Sequence, residues 1–170
     1  SDVRVLVRSP ERLSALVPLP QGWRYVRGAL DNATPWAHEL NGVDTVLHLA
    51  SSTGKVSAAV HHEVIVRGTE TLVAAARQAR VSRLLFVSSI AAGFRDQRAY
   101  PYASAKQRAE GAVSASPLQS LIVRPTLVFG PGSAVFDGLQ KVARLPLPVT
   151  FGAAQVRVQP IDVDDLAQLL

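Results

Sequence analysis

Short runs rich in β-branched residues alternate along this chain with alanine-rich helical stretches, two patterns with the periods expected of strands and helices. VRVLV (residues 3–7) predicts a strand, followed by the polar turn RSP and a short helix from Glu11. WRYV (23–26) predicts a weak second strand. Thr34 is expected to cap a helix with Pro35 in its first turn, where a missing N–H does no harm. VDTVLHLA (43–50) predicts a buried strand by its apolar continuity. A long helix is predicted from about Ala58 to Arg80, then a strand at RLLFVSS (83–89). YASAK opens another helix, SLIVRP (120–125) predicts a strand ended by its proline, and VFGPGS predicts a turn. A helix around 134–144 follows, and VDDLAQLL begins a last helix that the chain end cuts off.

Strands alternating with helices imply βαβ units, hence an α/β fold whose parallel sheet is covered on both faces. No internal repeat, linker or low-complexity segment interrupts the 170 residues, so residues 1–170 are expected to form a single domain. Hydrophobic residues make up 48% and charged residues 18%, a globular balance rather than a disordered one. There is no cysteine, which excludes disulfides and thiolate metal sites. The four histidines, His38, His48, His61 and His62, do not have a zinc-ligand spacing, and no metal is expected. No apolar run approaches the ~20 residues needed to span a bilayer, and no signal peptide opens the chain. The expectation is a cytoplasmic protein with no membrane span. The formal net charge is +5, with lysine only at 55, 106 and 141 and the arginines scattered singly or in pairs. A nucleic-acid face would concentrate its cations. Scattered arginines fit solvated helix faces or a phosphate-bearing small ligand instead.

The candidate chemistry lies in YPYASAKQRAE, residues 100–110. Positions four apart on a helix project from one face, so Tyr102 and Lys106 are expected to point into the same cleft. A free phenol has a pKa of about 10 and is a poor acid or base at neutral pH. A nearby ammonium would stabilise the phenolate and bring that value down. Ser88 and Ser89 stand at the end of the 83–89 strand, and doubly wound sheets bind ligands at the carboxyl ends of their strands. A tyrosine and a lysine four apart are also ordinary surface residues, and Ser-Ser after a strand is also a turn signal. The ordered set, rather than either feature alone, favours a site.

The segments RVLVRSPERL, VDTVLHLAS, VIVRGTETLVAAARQARVSRLLFVSS, YASAKQRAE, LIVRPTLVFGPGS and VQPIDVDDLA cover essentially the whole chain. In this order and spacing they resemble the short-chain dehydrogenase/reductase superfamily, particularly its NAD-dependent epimerase/dehydratase branch. The resemblance implies a Rossmann-like doubly wound parallel sheet. It implies Tyr102 as general acid/base, Lys106 as its electrostatic partner and a ligand of the nicotinamide ribose, and Ser89, with Ser88 as the fallback, as the hydroxyl that orients substrate. Arg8 ends the first strand, where the family reads the adenosine ribose. A carboxylate there would bind the free hydroxyl of NAD, whereas an arginine, helped by Ser9, suits the 2′-phosphate of NADP. NADP is the implied cofactor, with NAD as the alternative. Leu49, Ala50 and Ser51 match the strand end that borders the cofactor, and Pro125, Thr126 and Val128 match the segment passing the nicotinamide.

Three departures stand against the family pattern. Ile65 replaces an asparagine that supports a helix kink and a proton relay. Ala29 stands where an acidic residue near adenine is expected, with Asp31 or Asn32 as partial substitutes. No GxxGxxG appears, and the chain reads as starting at the family's second strand. The missing first strand would be central, so the sequence is expected to be the greater part of a longer protein, incomplete at both ends. The implied function is an NADP(H)-dependent oxidoreductase or epimerase-type enzyme acting on a small-molecule alcohol or ketone. Residues 130–136 and 151–159 are the expected substrate walls, with Phe136, Phe151 and Arg157 as candidates and core packing or an exposed arginine as the alternatives. A non-catalytic NAD(P)-binding protein, a redox sensor or a subunit like the complex I accessory subunit of this fold, is the second reading. A truncated pseudo-domain without activity is the third. Relatives often pair through two long helices, here 58–80 and 102–114, which gives a homodimer as the expectation by analogy.

Overall fold

The computed structural model describes residues 2–14, 18–131, 133–144 and 159–170. It divides into two compact units, Ser1–Val123 and Arg124–Leu170. In the first, β1 (Val3–Val7) leads through α1 (Pro10–Ser14) to β2 (Trp23–Arg27), and the two strands pair in parallel with Val3 opposite Trp23 and Val7 opposite Arg27. A second sheet has the order β3–β4–β5, from Thr45–His48, Arg83–Val87 and Gln119–Val123, again all parallel. Parallel neighbours need a crossover, and helices supply both. The first is a continuous helical run made of α2 (Ala58–His61), a π-helical turn (His62–Arg67) and α3 (Gly68–Gln78). The second is α4 (Pro101–Ser114), with Pro101 in its first turn.

Two apolar clusters hold this unit together. Ile65, Val66, Leu84, Phe86, Ala105, Ala109 and Val113 form one, between the π-helical turn, β4 and α4. Val26, Trp36, Leu72 and Ala75 form the other, flanked by Leu6 of β1 and Val46 of β3. Trp36 is fixed there by its indole N–H, which donates to the Ala29 carbonyl at 2.8 Å. Gly28 continues the β1–β2 ladder by donating to Val7 O at 3.0 Å, and a Cβ at this position would run into the Trp36 ring.

The structure departs from the pattern-based elements in three places. Residues 34–42 hold only a 3-10 turn, Ala37–Leu40, and Thr34 does not cap a helix. Burial of Trp36 ties the segment down, and Gly42 at φ +73° turns the chain just beyond it. In β3, continuous apolarity does not give continuous burial: His48 is buried but Leu47 is 47% exposed. β1 pairs only with β2 and β3 only with β4, so one edge of each lacks a strand partner among the described residues. Finally, Leu127–Phe129 is not a turn but a strand, β6. It pairs in parallel with β7 (Pro160–Asp162), and α5 (Ala134–Ala143) and α6 (Val163–Leu169) complete the second unit. Among the described residues no helix is long and apolar enough to cross a membrane, and no three His, Cys, Asp or Glu side chains cluster around a metal position.

Candidate active site

The site is built where β4 ends and α4 begins. Ser88 extends the β4 ladder by donating its N–H to Val123 O at 2.7 Å. Ser89 then turns out of the sheet and caps a short 3-10 turn, Ile90–Gly93, its Oγ accepting from Ala91 N at 3.2 Å. With that lone pair engaged, the Ser89 O–H is free to donate, and it lies near enough to the Tyr102 phenol to lower its pKa. Ser51, just past the end of β3, lies near enough to the same phenol to lower its pKa slightly, while its own hydroxyl donates to the Ser52 carbonyl at 3.4 Å. Tyr102 stands in the first turn of α4, and Lys106 follows one turn later on the same face.

The electrostatics differ from the expectation that the ammonium holds the phenol down. Burial pushes the Tyr102 pKa up, and so does Tyr100, while hydrogen bonds from Ser89 and Ser51 pull it back. Lys106 is only 2% exposed and donates from Nζ to the Val87 carbonyl at 2.9 Å. Its ammonium lies 4.9 Å from the Phe86 ring centroid and 5.9 Å from that of Tyr102. Burial lowers its pKa to about 8, opposed by the negative charge of Glu110.

A nicotinamide dinucleotide fits the donors that this chain leaves open. An ammonium carries three N–H donors, and the hydrogen bond to Val87 O uses one of them. The buried Ser88 Oγ has no hydrogen-bond partner. Together they offer polar contacts to a ribose and an amide at the carboxyl end of β4. Leu49 (57% exposed) and Ala50 lie open on the neighbouring strand end, a surface free to border a flat ring. Arg8 is exposed directly after β1, with Ser9 beside it half-buried, and Asp31 is exposed in the turn after β2. Asn32 is already engaged, its Oδ1 accepting from Thr34 N at 3.0 Å.

Of the residues singled out from sequence, Ser89, Tyr102, Lys106 and Ser51 are brought together, and Ser88 lies beside them. Pro125, Thr126, Val128 and Phe136 belong to the second unit, where Phe136 packs on Phe129 at 5.4 Å between centroids. Phe151 and Arg157 lie outside the described residues. Pattern reading missed His61, weighed only as a metal ligand, and Ser52. The signal for His61 was its position four residues before Ile65, on a helix whose apolar face enters the core.

Known proteins resemble this chain in sequence and fold. A family profile described as NAD(P)H-binding matches residues 1–133. A ceramide reductase of Caulobacter vibrioides is 34% identical over 178 residues, covering 99% of this chain and 55% of its own length. A 4-hydroxy-2-methyl-3-oxo-4-farnesyl-3,4-dihydroquinoline-1-oxide ketoreductase of Stigmatella aurantiaca is 36% identical over 89 residues, 52% of this chain and 26% of its own. The chain thus spans about half or less of these curated relatives. A dTDP-glucose 4,6-dehydratase of Streptomyces venezuelae, solved with NAD bound, superposes with a TM-score of 0.78 at 25% identity, over 98% of this chain and 61% of that one. The chain belongs to the NAD(P)H-binding family, within the short-chain dehydrogenase/reductase superfamily and its epimerase/dehydratase branch.

Proposed function

We propose that this chain carries the cofactor and proton-transfer machinery of an NADP(H)-dependent oxidoreductase that interconverts a ketone and an alcohol. The observation that carries the reading is the Tyr102 phenol, with Ser89 and Ser51 close enough to lower its pKa and a buried ammonium one helical turn away, 5.9 Å from its ring centroid. A phenol whose pKa is raised by burial is protonated across the neutral range, so Tyr102 is set to act as an acid. It donates its proton to the substrate carbonyl oxygen, while Ser89 holds that oxygen in line. The phenolate left behind is stabilised by the Ser89 hydroxyl, which is free to donate to it. The bound nicotinamide supplies the hydride. In the oxidative direction the same proton returns to Tyr102.

Lys106 and Ser88 are the residues that would hold the nicotinamide end, and Arg8 with Ser9 the 2′-phosphate of NADP. The substrate class follows from the rim of the phenol. Phe94 and Tyr100 are exposed beside it, with Phe94 and Tyr100 at 6.3 Å and Tyr100 and Tyr102 at 5.7 Å between ring centroids. Such a rim suits a carbonyl carrying an apolar chain, in keeping with the two reductases named above.

The test is NADPH oxidation against ketones of increasing alkyl length, in the full chain and in Tyr102→Phe. Tyr102→Phe is expected to lower kcat by about 100- to 10,000-fold while cofactor binding stays intact. Unchanged turnover in Tyr102→Phe overturns the mechanism. Tight NADPH binding with no turnover of any ketone would favour the non-catalytic binding protein instead.

A further inference from the structure

The helical run that flanks the phenol carries two buried polar side chains, His61 and Thr69. Thr69 is engaged within the helix, its hydroxyl donating to Ile65 O at 2.5 Å and meeting His48 Nε2 at 2.9 Å. The Ile65 side chain is fully buried and has no group to hydrogen-bond. His61 is different. It is 4% exposed, its Nδ1 lies 2.8 Å from Ser52 Oγ, and its ring stands edge-on to Tyr102 at 5.6 Å and 67°. Ser52 follows Ser51, whose hydroxyl donates to the Ser52 carbonyl at 3.4 Å and whose nearness lowers the Tyr102 pKa.

We propose that His61 is a positioning residue for Tyr102. It acts from both sides. Its ring packs against the phenol ring, and its Nδ1 clamps Ser52, which holds residues 51–52 and so keeps Ser51 beside the phenol. The groups facing that phenol are then Ser89 from the turn after β4, Ser51 from the loop after β3, Tyr100 ahead of α4, Lys106 on α4 and His61 on α2. The first two lower its pKa and Tyr100 raises it. The catalytic consequence rests on the Tyr102 reading above, whereas the positioning does not.

The experiment follows the ionisation of Tyr102 by NMR of the tyrosine Cζ signals in the full chain, with Tyr102→Phe assigning the resonance. No cofactor or substrate is needed. His61→Leu removes the hydrogen bond at similar volume, and the Tyr102 midpoint is expected to move up as the Ser51 contact loosens. His61→Asn, whose amide can occupy the place of Nδ1, is expected to restore it. In the NADPH-dependent assay, His61→Leu is expected to lower kcat by about 10- to 100-fold, the scale of a misplaced catalytic group, with KM for NADPH little changed. If His61→Leu does not fold, Ser52→Ala breaks the same bond from its other end and must move the Tyr102 midpoint in the same direction. An unmoved midpoint in these variants, or Asn no better than Leu, overturns the proposal. A moved midpoint in a chain with no turnover leaves it standing and overturns the catalytic reading alone.

Discussion

Two nitrogen bases pack on the Phe86 ring, and burial disfavours the charged form of each. His48 stacks on it at 5.1 Å between centroids, and Lys106 holds its ammonium 4.9 Å from it. Thr69 gives its one proton to Ile65 O, so the Thr69 oxygen must accept and His48 must carry its proton on Nε2. Burial, with Lys106 nearby, drops the His48 pKa from 6.5 to about 4. The unfolded chain therefore takes up a proton first as pH falls. The stability this neutral histidine provides is complete above about pH 6.5 and lost between there and about pH 4. That loss is worth about 3 kcal/mol, from the shift in pKa at ~1.4 kcal/mol per unit. Urea unfolding from pH 7 to pH 4 should show it, and His48→Gln should remove about that much of the slope. A wild-type curve as flat as that of His48→Gln would show that His48 is not held neutral.

Among the elements, α4 decides whether the site exists. Ala105, Ala109 and Val113 are all buried and recur four residues apart, on one face of the helix. Their small size lets the helix approach the π-helical turn and β4 closely, which sets the reach of Tyr102 and Lys106. Ala109→Leu would overpack the cluster around Ile65 and Phe86, at a cost of about 1–3 kcal/mol. Because the displaced element carries the phenol, kcat should fall together with thermal stability. Stability lost with kcat intact would mean that α4 does not set the geometry. This helix was legible in the sequence, as were β1, β2, β4 and β5, because local propensity and packing agree there. What was not legible depends on distant partners. Leu127–Phe129 is a strand only because Pro160–Asp162 lies beside it, and three residues cannot specify that locally. Residues 34–42 carry helix-start residues, but the buried Trp36 indole overrides them. The spacing of Tyr102 and Lys106 identified the pair, yet the rise in the phenol's pKa comes from burial, which spacing does not encode.

Along the chain, a net charge of +5 is spread as single or paired arginines without a basic run, so the proposed dinucleotide would be recognised by a few placed cations rather than by a general field. In the proposed function, Arg8, exposed after β1, would serve the adenosine end, and Lys106, buried on α4, the nicotinamide end. A ligand that binds only the folded chain adds RT ln(1 + [L]/Kd), about 2.7 kcal/mol at a hundred times Kd. At about 2–4 °C per kcal/mol for a chain of this size, saturating NADPH should raise Tm by roughly 5–10 °C. Arg8→Asp exchanges a phosphate donor for a repelling carboxylate and should abolish most of the NADPH shift while keeping, or strengthening, that from NADH. Lys106→Met should instead weaken both. It should also raise the Tm of the free chain, because a buried ammonium whose pKa falls to about 8 opposes folding at neutral pH. The two variants thus separate the ends of one ligand. If NADPH and NADH shift the wild-type Tm equally and Arg8→Asp changes neither, Arg8 has no part in recognition and the preference for NADP falls.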